Sequence, residues 1–276
     1  MRIINSLVTT FPFLKIEAVP AQTESAAPIE ETPAAPVPPV LSIASLLEDK
    51  GFRAVCNGFP FPDSVRKLAA FIAGHIEVLN ELMCSIRHQV QATGIFEISH
   101  STSSTEEDDV IAEFLRQLQS AGVLEGGIAR AKSFFRFTLA DLPMVHDFLW
   151  GKWLEQVAYD AACEVIKDFG DAEVLLNVKG VKDDVSCFEA DVLLRIGEEL
   201  FALECKSGKY LHLEGTHFIE NLLGKNHVML VASAVDYINT EAVAFFHQIP
   251  VSNAGNIADE LKRMIRSALQ PDSLTA

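Results

Sequence analysis

The stretch EADVLLRIGEELFALECKSGK, residues 189–209, sets Glu189, Asp191, Glu204 and Lys206 among aliphatic residues of the kind that strands bury. Side chains alternate across an extended strand, so Glu189, Asp191 and Leu193 are expected on one face and Phe188, Ala190, Val192 and Leu194 on the other. The same rule separates Ala202, Glu204 and Lys206 from Phe201, Leu203 and Cys205. A hairpin turning near Gly197 brings Asp191 into the neighbourhood of Glu204, on strands about 4.8 Å apart. Two ionised carboxylates about 5 Å apart repel by about 3 kcal/mol at an effective dielectric of about 20. A hard divalent cation, Mg²⁺ or Mn²⁺, reverses that sign, because it takes one or two carboxylates and keeps waters for a substrate phosphate. Such an ion lowers the pKa of a bound water and offsets charge developing on a leaving oxygen. Lys206, one strand repeat beyond Glu204, is placed to steer the attacking hydroxide or stabilise a pentacovalent transition state. The competing reading is a structural ion pair of Lys206 with Glu204 or Asp191, which leaves the other acids without a task.

The elements that must position these residues follow from periodicity. Residues 144–169 carry Phe148, Leu149, Trp153, Leu154, Val157, Ala158, Ala161, Ala162 and Val165 at helical spacing, which predicts one buried helix holding Glu155. Three strand-like segments follow, AEVLLNVKGV, CFEADVLLRI and ELFALECKS, parted by Lys182-Asp183-Asp184 and Gly197-Glu198-Glu199. A helix at LEGTHFIENLLGKN, a strand at HVMLVASAV, a short helix at EAVAFFHQI running into IPVS, and a closing helix at NIADELKRMIRSAL complete a mixed α-β-β-β-α-β-α order.

Upstream, residues 63–93 have apolar positions from Val65 to Val90 at helical spacing, predicting a single long amphipathic helix suited to packing or dimerisation. His75 and His88 on it have no partner at ligand spacing and are expected to be ordinary packing or surface residues. Ser103 or Ser104, with Glu106 or Glu107 three residues on, caps a further helix with Val110, Ile111, Phe114, Leu115 and Leu118 as its stripe, and Gly122 ends it. A Gly-Gly hairpin then leads to a strand through Phe135, Phe137 and Leu139. This order resembles a winged-helix unit, whose basic residues Arg130, Lys132 and Arg136 would contact nucleic-acid phosphates. Residues 18–40, rich in Ala, Pro and Glu, cannot bury enough surface to order themselves. The expected organisation is a disordered tail over 1–40, a helical and winged-helix-like region over 41–145, and an α/β domain over 146–276.

Together, the segments GKWLEQVAYDA, FEADVLL and LFALECKSGK resemble the G-x-W-L-E helix, E-x-D-V strand and E-C-K-S-G strand of the nuclease part of CARF-fused CRISPR ancillary nucleases, members of the PD-(D/E)XK, restriction-endonuclease-like class. The resemblance covers residues 146–265. It implies a restriction-endonuclease-like mixed sheet flanked by helices, and an endonuclease hydrolysing DNA or RNA, in defence against foreign nucleic acid. By it, Asp191, Glu204 and the Cys205 carbonyl hold Mg²⁺ or Mn²⁺, Lys206 assists catalysis, Glu155 reaches in directly or through water, and Glu189 and Lys209 line the site. Ala190 stands where many relatives have the proline of the motif and Phe188 where the closer ones often have asparagine. Too few residues precede the winged-helix-like region for a CARF domain, so activation by a cyclic oligonucleotide is not carried over. Cys205 points to the buried face, which excludes it as a nucleophile, and His212 and His217 are expected at the surface.

Composition narrows the alternatives. With 276 residues, 49% of them hydrophobic, the chain can bury one large core or two modest ones. The net charge is −16, and residues 146–276 hold 21 acidic and 11 basic side chains, a balance of −10. A general nucleic-acid coat protein has the opposite sign, so any nucleic-acid role must rest on a local site. Five cysteines, an odd number with no C-x-x-C pair, argue against a disulfide framework and a structural zinc site. No run of about 18 apolar residues spans a bilayer, and Pro12 and Lys15 interrupt the apolar start, so the protein is expected in the cytoplasm, with no membrane partner. Beside the nuclease stand two readings from other classes: a non-catalytic winged-helix regulator on a nuclease-like scaffold, and a homodimeric assembly subunit.

Overall fold

The structure, a computed structural model, describes residues 41–90, 95–99, 104–131, 134–207, 213–233 and 248–269. The predicted tail and the predicted helix at EAVAFFHQI, apart from its last residues, lie outside them. Helix α1 (Ile43–Asp49) leads into strand β1 (Arg53–Cys56), helices α2 (Asp63–Gly74) and α3 (Ile76–Val90), strand β2 (Ile95–Ser99), helix α4 (Thr105–Ser120) and strands β3 (Leu124–Ala131) and β4 (Phe134–Leu139). A short helix α5 (Pro143–Asp147) passes through a π-turn (Phe148–Lys152) into α6 (Trp153–Val165). Strands β5 (Ala172–Lys182), β6 (Val185–Ile196) and β7 (Glu199–Lys206), helix α7 (Glu214–Leu223), strands β8 (Val228–Ala232) and β9 (Val251–Asn253) and helix α8 (Ile257–Leu269) follow.

The order β1-β5-β6-β7-β8-β9 makes one six-stranded mixed sheet. β1 to β7 pair antiparallel in that order, and β7-β8 and β8-β9 pair parallel. The predicted turns are where the chain reverses. Asp183 and Asp184 adopt φ of 51° and 60°, and Gly197 φ of 58°, positive angles that match a tight hairpin to the twist of its strands. β7 cannot return by a hairpin, because β8 lies parallel to it and needs a crossover, which α7 supplies. A smaller antiparallel sheet has the order β2-β4-β3. Beside it α4 is capped as expected, with Ser104 Oγ accepting from the Glu107 amide at 3.2 Å.

The apolar residues divide between the faces of the large sheet. Trp153, Leu154, Ala158, Ala162 and Val165 of α6 pack with Leu176, Val192, Leu194, Phe201, Leu203 and Val231, in a cluster that also takes in α2, α4 and α8. Ile43 and Leu47 of α1 and Ile219 of α7 cover the other face, against Val178, Phe188, Ala190, Leu193 and Ala202. Trp153 is fully buried, and truncating such a ring typically costs about 3–5 kcal/mol. α6 is therefore fixed to the sheet at the level of the first turn that carries Glu155.

Three expectations need correction. The helix predicted over 63–93 is two helices, bent by 115° at His75. His75 leaves the helical region (φ −131°, ψ 26°), bonds Phe71 O through Nδ1 at 3.0 Å and stacks on the Phe71 ring. Val65, Leu68, Ala69 and Ile72 of the first helix and Leu79, Leu82, Met83 and Ile86 of the second are buried within the chain. The helix predicted from Phe148 onward is broken at Gly151, whose φ is 155°. Strict alternation along β6 also fails: Ala190 and Leu193 lie in one cluster, Val192 and Leu194 in the other. The ladder to β5 pairs Leu176 with Val192 and Val178 with Ala190, omitting Asn177 and Asp191 between them. Asn177 sits at φ 52°, a left-handed conformation that asparagine tolerates better than most residues, so both strands turn over at that level.

Candidate active site

Asp191 sits where β6 and β7 part. Their ladder ends at Val192 and Leu203, and beyond it a side chain serves as the acceptor across the two strands, the Cys205 amide donating to Asp191 Oδ2 at 2.7 Å. The N–H and C=O of one extended residue leave the strand on the same edge, so the Cys205 carbonyl leaves on the Asp191 side. The Cys205 thiol belongs to the buried face, packed against the α6 cluster. Burial pushes that thiol well above its ordinary range, which disfavours the thiolate that a nucleophile needs.

Glu204 and Lys206 follow on β7. Lys206 Nζ lies 3.2 Å from Glu204 Oε2, and the Glu204 side chain is 5% exposed. Glu204 Oε1 is buried without a hydrogen-bond partner. Burial first, and the charge of Asp191 second, push the Glu204 carboxyl up to about 7, against the pull of Lys206. Asp191 is raised by burial, with the Cys205 amide and Lys206 opposing. Burial draws Lys206 down, but Glu204 and Asp191 outweigh it and leave the ammonium raised. The ion pair weighed at the sequence level therefore exists, inside a cluster of acids it does not neutralise.

Glu155 arrives from the other layer. Gly151 lets the π-turn come close to the end of β7: a Cβ there would meet Ser207 Oγ at 2.6 Å, and Ser207 Oγ donates to Trp150 O at 3.1 Å. The glycine of GKWLE thus brings the first turn of α6 against the residue that follows Lys206. Burial and the charge of Asp191 push Glu155 up to about 7, while a bond from the Asn177 side chain and the charge of Lys152 act against them. Its Oε2 is buried with no hydrogen-bond partner. Among the described residues no group of three His, Cys, Asp or Glu side chains is drawn together tightly enough to hold a metal ion. What the site offers is pairs of coupled carboxylates with two orphaned oxygens.

Glu189 is held in an ion pair with Lys179 at 3.1 Å, and its charge adds to the rise of Glu155 and Asp191. It shares with Glu155, Lys152 and Asn177 a cleft of about 530 Å³ walled by residues 57–62. Lys209, Lys132 and His212 lie outside the described residues, as does the Arg130 side chain. Arg136 is exposed on β4 in the smaller sheet, across from Glu97 in register, so it belongs to a different sheet from the acids. His217 lies on α7, 3.4 Å from Glu220.

Three features escaped sequence reasoning. Asn177 adjoins Glu155 through a conformation that only a polar residue inside the run LLNVKGV could have signalled. Lys152, paired with Asp147 at 2.8 Å, reads in sequence as an ordinary surface lysine. The loop from Asn57 to Pro62 joins the site from far upstream, held by Gln156, a buried glutamine that accepts from the Phe61 amide at 2.8 Å and donates to Asp160 at 3.0 Å.

The fold is similar to that of two solved proteins. One is VC1899 from Vibrio cholerae, at 16% identity and a TM-score of 0.58. The other is Can2 from Sulfobacillus thermosulfidooxidans, solved in complex with cyclic tetra-adenylate, at 20% identity and a TM-score of 0.57. Each match covers 82% of this chain and 61% of the other, so the chain corresponds to about three fifths of each neighbour's length. The six-stranded mixed sheet flanked by helices is a fold of the kind seen in Can2. No family profile and no curated protein matches the sequence.

Proposed function

We propose that the protein is a metal-dependent endonuclease of the PD-(D/E)XK class that hydrolyses phosphodiester bonds of DNA or RNA in CRISPR-associated defence. One observation carries this reading: Glu155, Asp191 and Glu204, from a helix and two strands, are desolvated and electrostatically coupled, and two of them keep a buried oxygen with no partner. An orphaned buried carboxylate oxygen costs several kcal/mol unless something positive meets it. The donor set is all oxygen, which fits Mg²⁺ or Mn²⁺, and a hard cation needs only one or two carboxylates with waters completing its shell. Asp191, Glu204 and the Cys205 carbonyl would hold it, with Glu155 reaching in directly or through water. Once bound it supplies a water of lowered pKa and a counter-charge for the phosphoryl group.

The chain's own residues do the rest. Lys206, raised and therefore charged at neutral pH, can donate to oxygen as charge develops in the transition state. Its bond to Glu204 holds it in place beforehand. Asp191 is held by the Cys205 amide, so its second oxygen has a fixed direction. Similarity of fold to Can2 supports the reading, as does the three-segment resemblance. Cyclic tetra-adenylate, seen with Can2, gives no ligand to assign within this chain's site.

The test is cleavage of plasmid and single-stranded substrates with Mg²⁺ or Mn²⁺, wild type beside Lys206→Ala. A loss of about a hundredfold or more is expected, in the range measured for single transition-state donors. Equal rates would remove Lys206 from catalysis. Absence of metal-dependent cleavage in the wild type, with nucleic-acid binding retained, would favour the non-catalytic regulator.

A further inference from the structure

The loop that walls the cleft carries a feature the hydrolytic chemistry does not use. Its flanks are pinned. The Asn57 amide donates to Asn177 O at 3.3 Å, and Gly58 lies so near β5 that a Cβ would meet Leu176 O at 2.5 Å. On the other side the Phe61 amide is held by Gln156, and the Phe61 ring meets Phe148 edge-on at 5.5 Å. Between these anchors the Phe59 ring is 85% exposed, and it belongs to neither apolar cluster of the described residues. Single exposed apolar side chains are ordinary. This one lines the same cleft as Glu155, on a loop tied down at both sides, beside a second exposed apolar residue, Met144.

We infer that Phe59 is a stacking platform for a nucleobase of single-stranded nucleic acid next to the scissile phosphate, with Met144 extending the apolar wall. The inference rests on the nuclease reading and names the strandedness of its substrate. A cleft of about 530 Å³ is within the usual range for sites that enclose a small organic group. In a duplex the faces of each base are covered by its neighbours, whereas in a single strand they are free to lie on an aromatic ring. Charge points the same way. The lysines of the cleft are each matched by an acid, Lys152 by Asp147 and Lys179 by Glu189, so phosphate attraction is weak and stacking must carry the affinity. Two lysines exchanging partners would give a salt slope of only about −1.4, at about 0.7 per phosphate on a single strand.

The experiment measures binding of a labelled oligo-dT 20-mer, and of a blunt duplex of equal length, by fluorescence anisotropy, in EDTA and again in Ca²⁺. Phe59→Ala should weaken binding of the single strand by about fivefold to a hundredfold, the span of one base–aromatic stack. Phe59→Trp should restore it, and the salt slope should stay shallow. Phe59 is exposed, so its truncation leaves the core untouched, and Met144→Ala gives an independent, smaller loss. Equal binding by wild type and Phe59→Ala, preference for the duplex, or no binding of the 20-mer in either buffer would overturn the inference. Its failure is separable from that of the nuclease reading. Unchanged binding by Phe59→Ala with metal-dependent cleavage intact sinks the platform alone, and single-strand binding that Phe59→Ala weakens, in a protein whose wild type never cleaves, sinks the nuclease alone.

Discussion

Glu204→Gln is expected to stabilise the metal-free protein at pH 8 while abolishing cleavage. The Glu204 side chain is 5% exposed, and burial with the charge of Asp191 lifts its carboxyl from 4.5 to about 7. At about 1.36 kcal/mol per pH unit, ionising it in the folded chain opposes folding by about 3 kcal/mol. The sign follows from proton binding. The folded chain holds this proton more tightly than the unfolded chain, so stability falls as pH rises from 4.5 to about 7, and the full penalty persists above that. Glutamine keeps the size and removes the charge. At about 2–4 °C per kcal/mol for a chain of this size, the midpoint should rise by about 6–12 °C at pH 8. At pH 5, where the penalty is small, the gain should shrink to about a quarter. Thermal unfolding in EDTA across pH 5–8 reads this directly. Added Mg²⁺ should then raise the wild-type midpoint by mass action and leave that of the variant nearly unmoved. If Glu204 served only as the partner of Lys206, glutamine would strand a half-buried ammonium, and the midpoint would fall at pH 8. That fall would refute the reasoning.

Other outcomes follow from the same geometry. Gly151→Ala puts a Cβ 2.6 Å from Ser207 Oγ at a φ of 155°, so α6 must shift at Glu155, and single-turnover cleavage should slow by at least about tenfold. Asn177→Val forces a β-branched residue to φ 52°, with a loss of about 1–2 kcal/mol in urea unfolding. Asn177→Gly keeps that backbone and so separates the strain from the lost bond to Glu155. Gln156→Leu leaves the Phe61 amide without its acceptor and should cost about 1–3 kcal/mol in the same assay, with KM for cleavage rising as the 57–62 loop loosens.

Much of the sheet was legible because β5, β6 and β7 are long, apolar and closed by turn residues, and Asp183-Asp184 and Gly197 adopt the backbone their identities suggest. Acids close in sequence to aliphatic strands drew attention to Asp191 and Glu204 for the same reason: strand periodicity is local. What periodicity could not reveal was interruption. A stripe from Val65 to Val90 gives no sign of a 115° bend at His75, because residues on both sides of it, from Val65 to Ile72 and from Leu79 to Ile86, are buried. The turnover at Asn177 and Asp191 was invisible too, since alternation presumes an unbroken ladder. Contributions from distant chain, such as β1 at the sheet edge and the loop after it, depend on tertiary contacts that no local pattern encodes.

The bond from the Cys205 amide to Asp191 makes one carboxylate serve as a rung of the sheet. An alanine at that position would unzip the margin between two central strands as well as delete an acid, so its silence in an assay would speak of architecture and chemistry at once. Asparagine retains an acceptor for the rung while giving up the charge. A lineage drifting away from hydrolysis would thus find the charge easier to discard than the oxygen.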